Sequence, residues 1–156
     1  LLTYLEKLIQ DKEEQKTTAA ADALHQIADA IHKRSLVIIF SDMFDNGEDI
    51  EKMFSALQHL KYAKHEVILF HVTDKKHELE FEFENRPIEF VDLESGEKVK
   101  LQSNEVKSYY VGKVKEFTET LKMRCLQYKI EFMETDINEG FVPVLQTYLV
   151  KRSKLN

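Results

Sequence analysis

Two uninterrupted apolar segments constrain the fold of this chain more than any other feature. Residues 35–41 (SLVIIFS) contain five consecutive apolar side chains, and residues 66–73 (EVILFHVT) are similarly rich in them. Neither segment alternates between apolar and polar positions, which is typical of strands covered on both faces in a parallel sheet. Between them, residues 50–62 carry apolar side chains at helical spacing. Strand, helix and strand in this order predict parallel strands joined by a right-handed crossover.

Three further helices and a third strand follow from the same patterns. A helix is predicted over about 18–33, and a longer one runs from about 104 to 128. Residues 130–134 (IEFME) are predicted to form a short strand, and a last helix is expected to begin at Asp136 or Asn138.

Residues 77–102 have a different character. The segment 77–84 (HELEFEFE) alternates strictly between apolar and acidic side chains, and a period of two continues as far as Leu101. Such alternation is typical of antiparallel strands with one face in water. The sequence therefore predicts an antiparallel β-meander around 77–102 beside the parallel sheet.

Composition excludes several classes of protein. The 156 residues fit one domain, and an apolar fraction of 43% is enough for a hydrophobic core. A formal net charge of -6 disfavours nucleic acid as a partner, since a phosphate backbone requires a basic face. No apolar run approaches the ~20 residues of a membrane span. Cys125 is the one cysteine, so no internal disulfide forms and a cytoplasmic location is expected.

The first residue of the sequence indicates whether the natural N-terminus is present. The chain begins at Leu1 rather than with Met, so the natural N-terminus is expected to be absent. We therefore expect residues 1–156 to form one domain that lacks part of its fold, with no partner on one side of the strand at 35–41. Because an open apolar strand edge promotes association, we expect additional chain or a dimer.

The richest candidate site follows the first apolar strand. Ligands of doubly wound sheets bind outside the carboxyl ends of the strands, which selects loop 42–49 and the regions of Asp74 and Asp136. Asp42 directly follows a buried strand, and carboxylate oxygens suit Mg²⁺, Mn²⁺ or Ca²⁺. A turn residue is an equally good interpretation of Asp42. The later acidic residues of the loop, including Asp45, are better explained as turn and capping residues.

Other polar candidates are weaker. Cys125 lies on the apolar face of a predicted helix, which favours a buried, inert thiol. His71, within a predicted buried strand, is interpreted as a hydrogen-bonded core histidine. His25 and His32 are seven positions apart on one helix, too far apart for a single metal ion. We assign no catalytic residue.

A family resemblance rests on the run TTAAADALHQIADAIHKRSLVIIFSDMFD over 17–45. This run resembles the bacterial von Willebrand factor A-like proteins of domain-of-unknown-function family 58. The segments HEVILFHVTD and INEGFVPVLQTYLVKR fit the same group. The resemblance implies an α/β fold with a Rossmann-like, doubly wound, mainly parallel sheet and helices on both faces.

The resemblance also implies a metal-ion-dependent adhesion site. Asp42 corresponds to the Asp that follows the fourth strand in the family pattern, and Thr18 to its Thr, with Thr17 and Asp45 as alternates. The DxSxS motif that supplies the other ligands is not present in this sequence. The resemblance therefore implies either that residues 1–156 are a single von Willebrand factor A-like domain that lacks its first strands, or that the site has been lost. Because Mg²⁺ prefers six oxygen ligands, this chain alone is expected to bind the ion weakly.

Three functions follow as hypotheses. The first is a protein-interaction module. The proteins that the sequence resembles are associated with MoxR-type AAA+ ATPases, which implies a role in the assembly of protein complexes. The second is a metal-dependent hydrolase that uses Asp42 and Asp45, with His71 or Asp74, around a cation. The third is a structural domain without a metal site.

Overall fold

A three-stranded parallel sheet forms the centre of the structure, a computed structural model that describes residues 20–43, 47–83, 87–91, 96 and 98–154. The sheet consists of β1 (Leu36–Ser41), β2 (Glu66–Thr73) and β5 (Glu131–Asp136), in that spatial order. The helices are α1 (Ala20–Ala30), α2 (Gly47–Tyr62), α3 (Ser103–Gln127) and α4 (Phe141–Ser153). A π-helical turn (Lys75–Leu79) and the hairpin strands β3 (Pro87–Val91) and β4 (Lys98–Gln102) complete the elements.

Parallel pairing brings the carboxyl ends of the three strands to one edge, the carboxyl edge of the sheet. Ser41 at the end of β1 lies opposite His71 of β2, and Thr73 of β2 lies opposite Asp136 of β5. Because all three strands run in the same direction, the segments that follow them leave the sheet on the same side. The predicted α/β fold with a parallel, Rossmann-like sheet is therefore confirmed.

Most of the core lies on one face of the sheet, beneath three helices. Leu24 of α1, Leu57 of α2 and Leu121 of α3 belong to one buried cluster with Val67 and Leu69 of β2. On the opposite face α4 packs Val144 and Tyr148 against a smaller cluster of Ile68, Phe70 and Met133. Helices thus flank both faces, as predicted. Across the described ranges, none of the helices is both long and apolar enough to traverse a lipid bilayer.

Among the described residues, strand β1 is covered on one face only. Leu36, Ile38 and Phe40 are 42%, 46% and 67% exposed, whereas the alternate residues Val37 and Ile39 pack against the main core. The prediction that this strand is covered on both faces is therefore wrong for the described part of the chain. The physical reason is the position of α4, which contacts β2 and β5.

Specific contacts fix that position of α4. The ring of Tyr148 meets the ring of Phe70 edge-on, with centroids 6.1 Å apart. At the other end of the strand, Nη1 of Arg152 donates to Oε1 of Glu66 at 2.6 Å. Both partners belong to β2, so α4 leaves β1 uncovered on that side, where Phe40 stacks on Phe70 with centroids 4.8 Å apart.

The predicted strand at 77–84 is wrong wherever its residues are described. The chain forms a π-helical turn over Lys75–Leu79, and the Asp74 carboxylate accepts a hydrogen bond from the backbone N–H of His77 at its start. Phe81 then adopts a left-handed φ of 50° and is buried, with its ring 4.6 Å from that of Tyr110 on α3. A local Asp turn and an aromatic contact therefore prevail over the alternating pattern.

The remainder of the predicted meander is confirmed as a hairpin. Strands β3 and β4 pair in antiparallel register, with Pro87 opposite Gln102 and Val91 opposite Lys98. The hairpin accounts for the period of two in the later part of 77–102.

The last helix begins later than predicted, at Phe141. Asp136 belongs to β5, and its carboxylate accepts from the backbone N–H of Asn138 at 3.0 Å. Asp136 and Asn138 therefore form a turn between the strand and the helix, and neither residue starts the helix.

The core packing predicts a contrast between two leucines. Leu57 is fully buried, so Leu57→Ala should lower the free energy of unfolding by about 2–5 kcal/mol through lost burial and a residual cavity. Leu126 is 71% exposed, and Leu126→Ala should stay within about 0.5 kcal/mol of the parent. Urea unfolding followed by circular dichroism measures both. Equal effects would contradict the assignment of the core.

Candidate functional site

The turn that follows β1 places Asp42 at the carboxyl edge. The hydroxyl of Ser41 accepts a hydrogen bond from the backbone N–H of Met43 at 3.0 Å. Met43 adopts a left-handed φ of 55°, a conformation that non-glycine residues rarely take, and its side chain is buried. Because Met43 is anchored in the core, the turn is fixed, and Asp42 between these residues is exposed.

His71 holds the same turn from the neighbouring strand. Its Nε2 lies 2.8 Å from the backbone carbonyl oxygen of Asp42, and its side chain is only 1% exposed. A carbonyl oxygen can only accept, so Nε2 of His71 carries the proton. Burial lowers the pKa of His71, and the hydrogen bond to Asp42 opposes that shift in part. The interpretation of His71 as a hydrogen-bonded core histidine is confirmed.

A hydrogen-bonded network occupies the same edge beyond β2 and β5. Nδ2 of Asn138 donates to Oδ1 of Asp74 at 3.0 Å and to Oδ1 of Asp136 at 2.9 Å. Nδ1 of His77 lies 2.6 Å from Oδ2 of Asp74. The hydrogen bond from His77 lowers the pKa of Asp74, and the backbone N–H of Asn138 lowers the pKa of Asp136.

Sequence reasoning located part of this network. The strand-end rule selected Asp74 and Asp136, and the structure brings both to the carboxyl edge. His77 and Asn138 were missed. The spacing of Asp74 and His77, three positions apart, would have indicated their contact had 75–79 been recognised as a turn.

The other predicted metal ligands cannot be placed beside Asp42. Thr18, Thr17 and Asp45 all lie outside the described residues. Over the described ranges, no group of three or more histidine, cysteine, aspartate or glutamate side chains is arranged to hold a metal ion. The pairing of Asp42 with Thr18 stays a prediction.

Cys125 is excluded as a nucleophile by its surroundings. The side chain is fully buried within the main core cluster. Burial raises the pKa of its thiol to about 12, so the reactive thiolate is not populated near neutral pH. The prediction that Cys125 is buried is confirmed.

Comparison with known proteins places the chain in a family. The model described as "Protein of unknown function DUF58" matches residues 1–119. The chain belongs to this family. No curated protein and no solved structure matches the sequence. DUF58 membership confirms the resemblance of 17–45 to this family, whereas the von Willebrand factor A-like relationship, the metal and the partner stay predictions.

The buried His71 predicts a pH-dependent stability. Its pKa is lower in the folded protein than its ordinary value of 6.5, so the unfolded chain binds the proton more readily. The contribution of neutral His71 to the free energy of unfolding is complete above about pH 6.5. It is lost as the pH falls from there toward the folded-state pKa. Urea unfolding at pH 8 and at pH values below 6.5 should show this loss, and His71→Gln should reduce it.

An exposed histidine gives the matched control. His32→Gln should retain the pH dependence of the parent protein, because this side chain is exposed. In addition, His71→Leu should lower the free energy of unfolding by about 1–3 kcal/mol at pH 8, because the carbonyl of Asp42 then loses its hydrogen-bond donor. A pH profile that His71→Gln leaves unchanged would contradict this role of His71.

Proposed function

We propose that this DUF58 protein is a protein-interaction module whose contact surface is the carboxyl edge, centred on a divalent cation bound at Asp42. The proposed cation is Mg²⁺, with Mn²⁺ or Ca²⁺ as alternatives, and Thr18 is the proposed second protein ligand. The observation that carries the proposal is the fixed position of Asp42. Its backbone is held by the buried His71 and Met43, while the residue itself is exposed at the strand end.

Rigid placement matters because a cation site depends on ligand geometry. A carboxylate on a mobile loop must be ordered when the ion binds, and that ordering costs conformational entropy. The Asp42 backbone is already restrained by contacts from β1 and β2. The carboxylates of Asp74 and Asp136 lie at the same edge and add negative potential, which favours a hard cation.

The nature of the proposed partner follows from coordination chemistry. Mg²⁺ prefers six oxygen ligands, and Asp42 with Thr18 supplies only two side chains. The remaining positions are filled by other ligands and water, and one of them is available for a carboxylate from another protein. We propose a MoxR-type AAA+ ATPase as that partner, on the strength of the resemblance of 17–45 to proteins that accompany such ATPases.

A metal-dependent hydrolase is the second candidate, and one contact favours it. His77 and Asp74 form a close imidazole–carboxylate pair at the carboxyl edge, and the His77 side chain is 45% exposed. An oriented histidine of this kind can accept a proton from an attacking water. The hydrolase hypothesis therefore uses Asp42 for the cation and His77 for the proton, in place of the buried His71.

Calorimetric titration of MgCl₂ and MnCl₂ into the full-length protein tests the cation site. We expect saturable binding in the parent protein and none in Asp42→Asn, because the substitution removes the anionic ligand while keeping the side-chain size. Glu139→Gln is the control, since Glu139 is an exposed carboxylate at the same edge and should leave binding intact. If Asp42→Asn binds the cations as the parent does, the domain is better described as structural.

Activity separates the interaction module from the hydrolase. The module should bind an acidic peptide only when Mg²⁺ is present and should not hydrolyse p-nitrophenyl phosphate. A hydrolase should turn this phosphoester over, and His77→Gln should lower its rate by about 10²–10⁴-fold, the usual contribution of a general base. Turnover that both Asp42→Asn and His77→Gln abolish would overturn the interaction-module proposal.

A further inference from the structure

Two histidines from different helices meet on the surface of the main helical layer. His25 lies on α1 and His59 in the last turn of α2, and their Nδ1 atoms are 3.0 Å apart. The ring centroids are 5.3 Å apart and the ring planes are inclined by 43°. Their chain neighbours Leu24 and Leu60 are buried in one core cluster, so the packing of the two helices fixes the pair.

A carboxylate lies beside one of the two rings. Oδ1 of Asp29 is 3.5 Å from Nε2 of His59, the ring nitrogen that does not face His25. Asp29 follows His25 by one helical turn on α1, so both project toward the same neighbour. A carboxylate at Nε2 favours the tautomer that keeps its proton there and leaves a lone pair on Nδ1 of His59.

This tautomer makes the histidine pair suitable for a metal ion. With this tautomer and no metal, the 3.0 Å contact requires Nδ1 of His25 to donate to the lone pair on Nδ1 of His59. If His25 moves its proton to Nε2, both Nδ1 atoms present lone pairs to the same small region. Two imidazole nitrogens at about 2.0–2.1 Å from one ion lie roughly 2.9–3.4 Å apart, for ligand angles between square-planar and tetrahedral. The observed 3.0 Å separation falls within that range.

We infer that His25 and His59 form a binding site for a borderline divalent transition-metal ion such as Zn²⁺ or Ni²⁺, with Asp29 as a positioning residue. Imidazole nitrogens favour Zn²⁺, Ni²⁺ and Cu²⁺ over Mg²⁺ and Ca²⁺. Water completes the coordination, since the His59 side chain is 35% exposed. The site ties α1 to α2, two helices that otherwise meet through apolar contacts such as that of Leu24 with the core cluster.

The site is distinct from the cation site proposed at Asp42. Helix α2 starts after β1 at the carboxyl edge and runs back to the start of β2, so His59 in its last turn is near the opposite end of the sheet. The donor atoms differ as well, nitrogen here and oxygen there. The two proposals can therefore fail independently.

Titration of ZnCl₂ and NiCl₂ into tag-free, chelator-treated protein tests the inference. We expect one ion per chain and a rise of a few degrees in the melting temperature, because a ligand that binds only the folded state stabilises it. His25→Gln and His59→Gln should each lose this binding, and Asp42→Asn should keep it. MgCl₂ should compete with neither ion at this site.

Two further variants keep the test decisive. His32→Gln is the matched control, since His32 is an exposed histidine outside the pair, and the binding of Zn²⁺ to this variant should equal that of the parent. Asp29→Asn removes an exposed carboxylate without touching the core and should weaken Zn²⁺ binding about 10-fold, as for other carboxylates that orient a ligating histidine.

The nitrogen chemical shifts of the histidine rings give a readout that does not depend on affinity. Zn²⁺ should move the Nδ1 resonances of His25 and His59 and leave those of the exposed His32 unchanged. The inference is overturned if the parent protein binds no Zn²⁺, if both His25→Gln and His59→Gln bind as the parent does, or if the Nδ1 resonances do not respond. The melting temperatures of the metal-free variants establish that they are folded.

Discussion

The parallel pairing of β1 with β2 is the constraint on which the rest of the structure depends. Pairing in this register puts Ser41 opposite His71, so the imidazole reaches the carbonyl of the next residue, Asp42. The same pairing requires α2 to return the chain along the sheet, and this return brings His59 beside α1. One backbone interaction therefore positions both candidate sites, although they lie toward opposite ends of the sheet.

Burial explains which parts of this arrangement the sequence predicts well. Segments 35–41 and 66–73 have too many consecutive apolar residues for exposed loops, and a buried backbone must satisfy its hydrogen bonds in a sheet. Whether one or both faces of β1 are covered could not be predicted in the same way. It depends on where α4 packs, and that is decided by Tyr148 on Phe70 and by Arg152 on Glu66. Such contacts between distant segments leave no periodic pattern.

The prediction for segment 77–84 was wrong for a different reason, because a local turn forms where the sequence pattern is clearly that of a strand. Its alternation favours a strand, but Asp74 accepts a hydrogen bond from the backbone of His77 and starts a turn instead. Asp side chains compete with extended structure in this manner because their carboxylates reach nearby N–H groups at little entropic cost. Phe81 then finds its apolar environment against Tyr110 rather than on a strand face. Burial of the aromatic residue was predictable, whereas the backbone conformation that achieves it was not.

The candidate sites also differ in how well the sequence predicts them. Asp42, Asp74 and Asp136 were predicted from sequence because each lies at the end of a predicted strand, and the ends of parallel strands meet at one edge. The pair His25–His59 was not found, since it joins two helices that are separated by β1 and no spacing along one helix encodes it. His25 and His32 share one predicted helix, and spacing along one helix says nothing about a partner on another. Metal ligands that come from two helices require the packing of those helices to be known, and here that packing rests on Leu24, Leu57 and Leu60 in one core. The position of the His25–His59 pair is therefore a consequence of the hydrophobic core, whereas the position of Asp42 is a consequence of the sheet.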